Sequence, residues 1–317
     1  SNPLSHIRNT TSNILTLNYM PAENLMTAGI ESIRAPLAKT FPRLGGTQKE
    51  RFFGETSEEI LSTGRGIHNG IKRMLDVLNK GEDISKFEHH AVPVSPNVER
   101  FTPLRFLGAE DAGAKGFIET REIARLAIRK SKLENLKGQA FKDRVIELQA
   151  NPTEDMLEQA TKQGIYLTYQ KELGNLGKIF MNLRTKIPGV RYFVPTMKTP
   201  INIGKFALER TPLNIPRIVG KVATGELQGG ALSEEVSKVA CGSLLTFGGI
   251  WMAHQGYITG FGPKSKIERD EKMRTGWKPF SFTFKPGQGP YYGFSSLEPI
   301  SSILGMAADF YELYDRA

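Results

Sequence analysis

Apolar residues recur at helical spacing over most of the chain. Ile60, Ile67, Ile71, Met74, Leu75 and Leu78 fall on one face of a helix that Thr56 and Glu59 would open as a capping pair and that ends near Asn79. A second helical stretch is predicted from near Glu110, where Ile118, Ile123, Leu126 and Ala127 form a stripe, and a third over 136–149. Asn151, Pro152 and Glu154 occupy cap, first and third positions of a helix that runs to about Gln163; another is predicted over 168–183, ahead of Pro188. A last helix over 299–314 carries Ile303, Leu304, Ala307 and Phe310 on one face. Alternation of period two occurs near the C-terminal end, where "PFSFTF" and "YYGFSS" flank the Gly/Pro turn "KPGQGP" as a hairpin.

The remaining stretches are less periodic. The first fifty residues, rich in Asn, Thr and Pro, predict an extended arm with short helical pieces, and 81–106 reads as a long connection. The fold class is therefore mainly α: a multi-helix assembly with short proline-delimited helices and one small C-terminal β-hairpin. Four segments are expected: an arm (1–50), a helical domain (51–190), basic proline-delimited helices with an uncharged helix (191–263), and the hairpin with its final helix (264–317).

Prolines punctuate "VPTMKTPINIGKFALERTPL", residues 194–213. Thr199–Pro200 and Thr211–Pro212 each pair a capping residue with the one residue that needs no helical N–H, so two short helices are predicted to start there. Pro195, Pro200 and Pro212 would then act as rigid corners.

Charge sharpens this picture. The net charge is +9, and residues 170–225 hold ten basic residues against two acidic ones, so most of the excess lies there. Lys178, Arg184, Lys186, Arg191, Lys198, Lys205, Arg210 and Arg217 are the candidate contacts to DNA or another anionic surface, interleaved with Tyr166, Tyr169, Phe180, Tyr192, Phe193 and Phe206. A solvated basic face over a packed aromatic core explains the same pattern.

By contrast, no charged residue occurs between Lys238 and Lys264. The run is long enough to cross a bilayer, with Trp251 and Tyr257 as interface anchors, while its glycines, His254 and Gln255 suit a buried core helix. Leu244, Leu245, Phe247, Ile250, Trp251 and Tyr257 are the candidate membrane or helix-packing residues. Cys241 is the single cysteine, which excludes an internal disulfide; its apolar neighbours predict an inert buried thiol. No charged-then-apolar leader is evident, so no secretory signal is expected.

Motifs that commit a chain to catalysis were not found. "GRGIHNG" at 64–70 lacks dinucleotide-loop spacing, and "IGKFALERT" lacks the upstream glycine and the hydroxyl residue after lysine that a phosphate loop needs. Adjacent His89 and His90 do not converge on a metal unaided, and Glu58 with Glu59 reads as a solvated helix face. No catalytic, cofactor or metal site is expected.

Six stretches in order along the chain resemble the internal virion, or DNA-ejection, proteins of tailed bacteriophages and related segments of large polyvalent phage and prophage proteins. They are "SHIRNTTSN" (5–13), "PLRFLGAEDAGAKG" (103–116), "PGVRYFVPTMKTPINIGKFALERTPL" (188–213), "GYITGFGP" (256–263), "TGWKPFSF" (275–282) and "LEPISSILGMAADF" (297–310). The second departs from the pattern, with Ala112, Gly113 and Ala114 where an aromatic usually follows the aspartate. The resemblance implies a protein packed in the capsid interior and released ahead of the genome. It also implies assembly, as a homo-oligomer and with other virion ejection proteins, into a conduit for phage DNA across the host envelope and inner membrane. Some relatives carry a peptidoglycan-cleaving domain, and nothing in this chain matches it. Two other readings stand beside this one: a module of a giant virion-packaged enzyme, such as an RNA polymerase or polyvalent toxin, and a static internal capsid scaffold.

Overall fold

In a computed structural model, backbone is described at residues 3–80, 103–172, 190–295 and 297–315, and side chains at 19–79, 108–172, 199, 201–295 and 297–315. The chain is mainly α-helical, with one small two-stranded hairpin near its C-terminal end. It divides into two compact units. One comprises residues 1–6 and 48–202, the other residues 7–47 and 203–317.

The first unit is built on helix α4 (Pro103–Leu133), against which α2 (Phe53–Leu61), α3 (Thr63–Lys80), α5 (Gly138–Ala150) and α6 (Glu154–Leu167) all pack. Leu126, Ala127 and Ile128 of α4 meet Val145 and Leu148 of α5 and Met156 of α6 in an apolar core. The expected α4 stripe is thus in place, although the helix begins at Pro103, earlier than its periodicity indicates. Residues 81–102 of the expected connection lie outside the described residues.

Other boundaries move for identifiable reasons. Two helices, not one, cover 53–80, and they meet at Ser62, whose hydroxyl donates to the Glu59 carbonyl. The start lies three residues upstream of Thr56, because Glu55 reaches back to accept the Phe52 N–H. Thr153 rather than Asn151 caps α6, and that helix ends at Leu167, with Thr168 as its C-cap and Tyr169 at φ 59°; no helix starts at Thr168. Residues 173–183 of that expectation lie outside the described residues.

Helix α3 departs most from its pattern. Its apolar residues Ile67, Ile71 and Leu75 stay exposed, while Gly66, Gly70 and Val77 turn inward to α4. Backbone proximity decides this: a Cβ on Gly70 would lie 2.7 Å from the Gly113 carbonyl oxygen, and one on Gly66 would lie 3.1 Å from the Phe117 ring. Glycine lets the two helices approach more closely than any side chain would allow.

In the second unit the first segment is not an extended arm. Helix α1 (Pro3–Leu37) runs for 35 residues through Pro21, and a short 3-10 turn (Pro42–Leu44) follows. The physical reason lies in tertiary ties that outweigh weak local periodicity: from residue 7 onward α1 belongs to the same unit as the C-terminal segment. Helix α7 (Val190–Glu209) likewise runs through Pro195 and Pro200, so the expected corners there are absent. The second start is present, with Thr211 extended as cap, Pro212 opening a 3-10 turn, and α8 (Ile215–Ala223) following.

Helix α9 (Gly229–His254) leads through a loop and α10 (Lys266–Arg274) to strands β1 (Ser281–Phe282) and β2 (Tyr292–Gly293), then α11 (Ile300–Asp315). The hairpin forms as expected, antiparallel with Phe282 opposite Tyr292, and these two rings stack at 5.4 Å. Ile303 and Ala307 of α11 are buried as expected, and Leu304 packs against the core beside Ala308, but Phe310 is exposed.

Replacing Gly70 with alanine is expected to destabilise the first unit by about 1–3 kcal/mol, because backbone must yield. Gly64→Ala, which meets nothing within 4 Å, should be neutral or slightly stabilising. Thermal denaturation of both variants checks the pair.

Candidate functional site

Helix α9 is the element on which the candidate residues converge. Its first turns are polar on the inner side: the Ser233 hydroxyl donates to Glu31 Oε2 at 2.5 Å, and Ser237 and Thr27 share a hydrogen bond of 2.6 Å. Glu31 also accepts two 2.8 Å hydrogen bonds from Arg34, which in turn donates to the carbonyls of Leu44 and Gly46. One turn further on, Gly242 lies against Arg210. A Cβ at Gly242 would come within 1.9 Å of the Arg210 carbonyl oxygen, so glycine is required there.

Arg210 itself corrects an expectation. Rather than presenting charge to DNA or lipid, it is 0% exposed. Its Nε and Nη2 donate to the two carboxylate oxygens of Glu23 at 2.6 and 2.8 Å, and Nη1 donates to the Phe206 carbonyl. The guanidinium also lies 3.2 Å from the Phe206 ring centroid. A paired carboxylate and an aromatic face together offset the loss of water around a cation.

The other candidate cations do not form one described surface. Lys178, Arg184 and Lys186 lie outside the described residues, and of Arg191 and Lys198 only the helical backbone of α7 is described. Lys205 is half-buried, whereas Arg217 is exposed on α8. The three candidate cations whose side chains are described thus separate into one interior ion, one half-buried lysine and one exposed arginine.

Beyond Lys238 the character of α9 changes. Gly249 and Ala253 pack on α11, where a Cβ at Gly249 would lie 2.8 Å from that of Ala307. On the opposite face Leu244, Phe247 and Trp251, spaced i, i+3, i+7, are 65%, 63% and 59% exposed. Leu245 and Ile250 are half-buried flanks of this stripe. Tyr257 follows the helix end with its ring 6.3 Å from that of Trp251. The six candidate residues therefore sort into an exposed ridge with aromatic rings at its C-terminal end and two flanking aliphatics. The helix is long and apolar enough to cross a bilayer, and one third of its most apolar window is buried within the protein.

The loop after α9 is tied to α11. Glu312 accepts the N–H groups of Gly260 and Gly262 at 2.8 and 2.9 Å, and Asp309 accepts that of Phe261 at 2.6 Å. Gly262 sits at φ 86°, and a Cβ there would meet the Trp277 ring at 2.4 Å. Two acidic residues of "LEPISSILGMAADFYEL" thus engage backbone donors of "GYITGFGP".

Sequence reasoning missed the buried ions. Glu23, Thr27, Glu31 and Arg34 recur on one helical face and are all buried; in the first unit Glu55, Glu59, Arg121, Glu122, Arg125 and Arg129 are buried too. The available signal was spacing: opposite charges three or four residues apart, set between residues of the apolar stripe. Among the described residues no group of three His, Cys, Asp or Glu is placed to hold a metal ion. His89 and His90 lie outside the described residues.

Burial also governs the titratable groups near Arg210. It pushes the Tyr19 phenol above its ordinary value and raises the Cys241 thiol to about 11, with Glu23 adding to both shifts. Cys241 is thus buried and protonated below that pH, as its apolar setting indicates. Comparison with protein-family models, with curated proteins and with solved structures finds no match.

At pH 8 Cys241 should react with an aromatic disulfide reagent far more slowly than a free thiol, and reach the free-thiol rate in denaturant; fast labelling of the native protein would contradict this environment. Glu23→Ala strands the Arg210 cation in the interior and is expected to cost about 3–5 kcal/mol in chemical denaturation.

Proposed function

We propose that the chain is a non-enzymatic virion protein of a tailed phage. In this reading it leaves the capsid ahead of the genome and, with further copies and other ejection proteins, forms part of a conduit for DNA across the host envelope, meeting the inner membrane through α9. The observation that carries the membrane step is the charge-free ridge of Leu244, Phe247 and Trp251, exposed on a helix with no acidic or basic side chain of its own beyond Lys238 except His254. Water is a poor solvent for such a ridge, while lipid is a good one; aromatic rings at one end suit the headgroup boundary. The six stretches resembling ejection proteins supply the biological setting. DNA contact in this reading rests on the cations of 170–225 other than Arg210.

Flotation of the purified chain with neutral and anionic vesicles tests the reading. Binding to neutral vesicles that survives physiological salt is expected, and Phe247→Gln with Trp251→Gln should abolish that salt-resistant part. Absence of salt-resistant binding to neutral vesicles would overturn the membrane role of α9, and a strict monomer on lipid by cross-linking would overturn the conduit.

A further inference from the structure

Helix α2 is inside-out. Its three buried residues are Glu55, Thr56 and Glu59, while Phe53, Gly54, Ser57, Ile60 and Leu61 are exposed, Leu61 by 75%. The inward carboxylates are held by α4: Glu55 pairs with Arg125 at 3.2 Å and Arg129 at 2.7 Å, and Glu59 pairs with Arg121 at 3.1 Å. A helix docked on water-soluble terms would turn Ile60 and Leu61 inward and its carboxylates outward.

Helix α3 continues the inversion. Gly66 and Gly70 face α4, and Ile67, Ile71 and Leu75 extend the apolar outer surface. Charge on these two consecutive helices is sorted by sign. Over 53–79 the exposed ionisable side chains are Arg65, His68, Lys72 and Arg73; Glu55 and Glu59 are buried, and Glu58 and Asp76 are half-buried. Arg65 and Arg73 reach Glu58 and Glu119 at 3.1 and 2.6 Å, yet each keeps half of its side chain in solvent.

We propose that the outer face of α2 and α3 is a docking surface for an anionic lipid headgroup layer, separate from α9 and located in the other compact unit. An in-plane helix pair of this kind lays aliphatic side chains at the acyl boundary and extends its long cationic side chains to the phosphates. Charge complementarity selects this occupant: over 53–79 the exposed ionisable side chains are all basic while Glu58 and Asp76 are half-buried, so a second copy of the same face would bring exposed cation to exposed cation. Nucleic acid would meet the cations but leave Phe53, Ile60, Leu61 and Ile67 facing a phosphodiester backbone that offers them nothing.

The test uses the full chain with phosphatidylglycerol and phosphatidylcholine vesicles, in variants whose replaced side chains are outward-facing and leave the buried pairs in place. Ile60→Gln, Leu61→Gln and Ile67→Gln combined are expected to weaken partitioning to phosphatidylglycerol about tenfold or more, with an unchanged helical circular dichroism spectrum. Lys72→Glu should weaken it further and flatten its salt dependence, while the Phe247/Trp251 variant keeps this salt-sensitive component. Wild-type partitioning by the triple variant would overturn the proposal. So would a lipid-free change of oligomeric state in that variant, which would assign the face to another copy, or an equal loss of duplex DNA binding. Because α9 is read on neutral vesicles at physiological salt and this face on anionic vesicles at low salt, either can fail alone.

Discussion

A charge taken out of water must keep its counter-charge within hydrogen-bond reach, and both units of this protein are arranged around that constraint. In one, Glu23 and Arg210 meet in two-pronged geometry between α1 and the end of α7, and Glu31 with Arg34 repeats the arrangement two turns along. In the other, three arginines of α4 face Glu55, Glu59 and Glu122. Desolvating such ions is costly, so these pairs do not hold the fold together as apolar burial does. Their effect is to make alternative packings worse: a helix slid by one turn leaves an ion unanswered.

Close approach of backbones is the complementary device. Gly70 against Gly113, Gly242 against Arg210 and Gly249 against Ala307 bring helices near enough for the charged side chains beside them to connect. Cores in both units are correspondingly modest, with alanine and glycine at several of the deepest positions. Much of the aliphatic content is left at the surface, and this explains why Ile67, Ile71, Phe247 and Trp251 are available to something other than this chain.

The sequence made the helical class, the hairpin and the α4 stripe legible, because each rests on local spacing that tertiary structure did not overrule. Helix α1 was not legible: beside Met20, Ala28 and Ala35 its buried residues include Glu23, Thr27, Glu31 and Arg34, which a hydrophobic-periodicity argument assigns to solvent. The same inversion misplaced Ile67 and Ile71 as core and Arg210 as surface. Prolines misled in α7, where the helix continues through Pro195 and Pro200. For the candidate site, composition located the uncharged helix, but which side of it packs was set by Gly249 and Ala253, and small residues carry little signal in a hydropathy pattern.

The carboxylates of Asp309 and Glu312 clasp three successive N–H groups at Gly260, Phe261 and Gly262. Together with the Gly249–Ala307 seam, this fastens α9 to α11 at two levels along their length. Sliding α9 along its own axis would break both fastenings at once, whereas tilting the pair as a unit breaks neither. Helices α9 and α11 thus move as one piece, and part of what couples them lies in three backbone amides outside either helix.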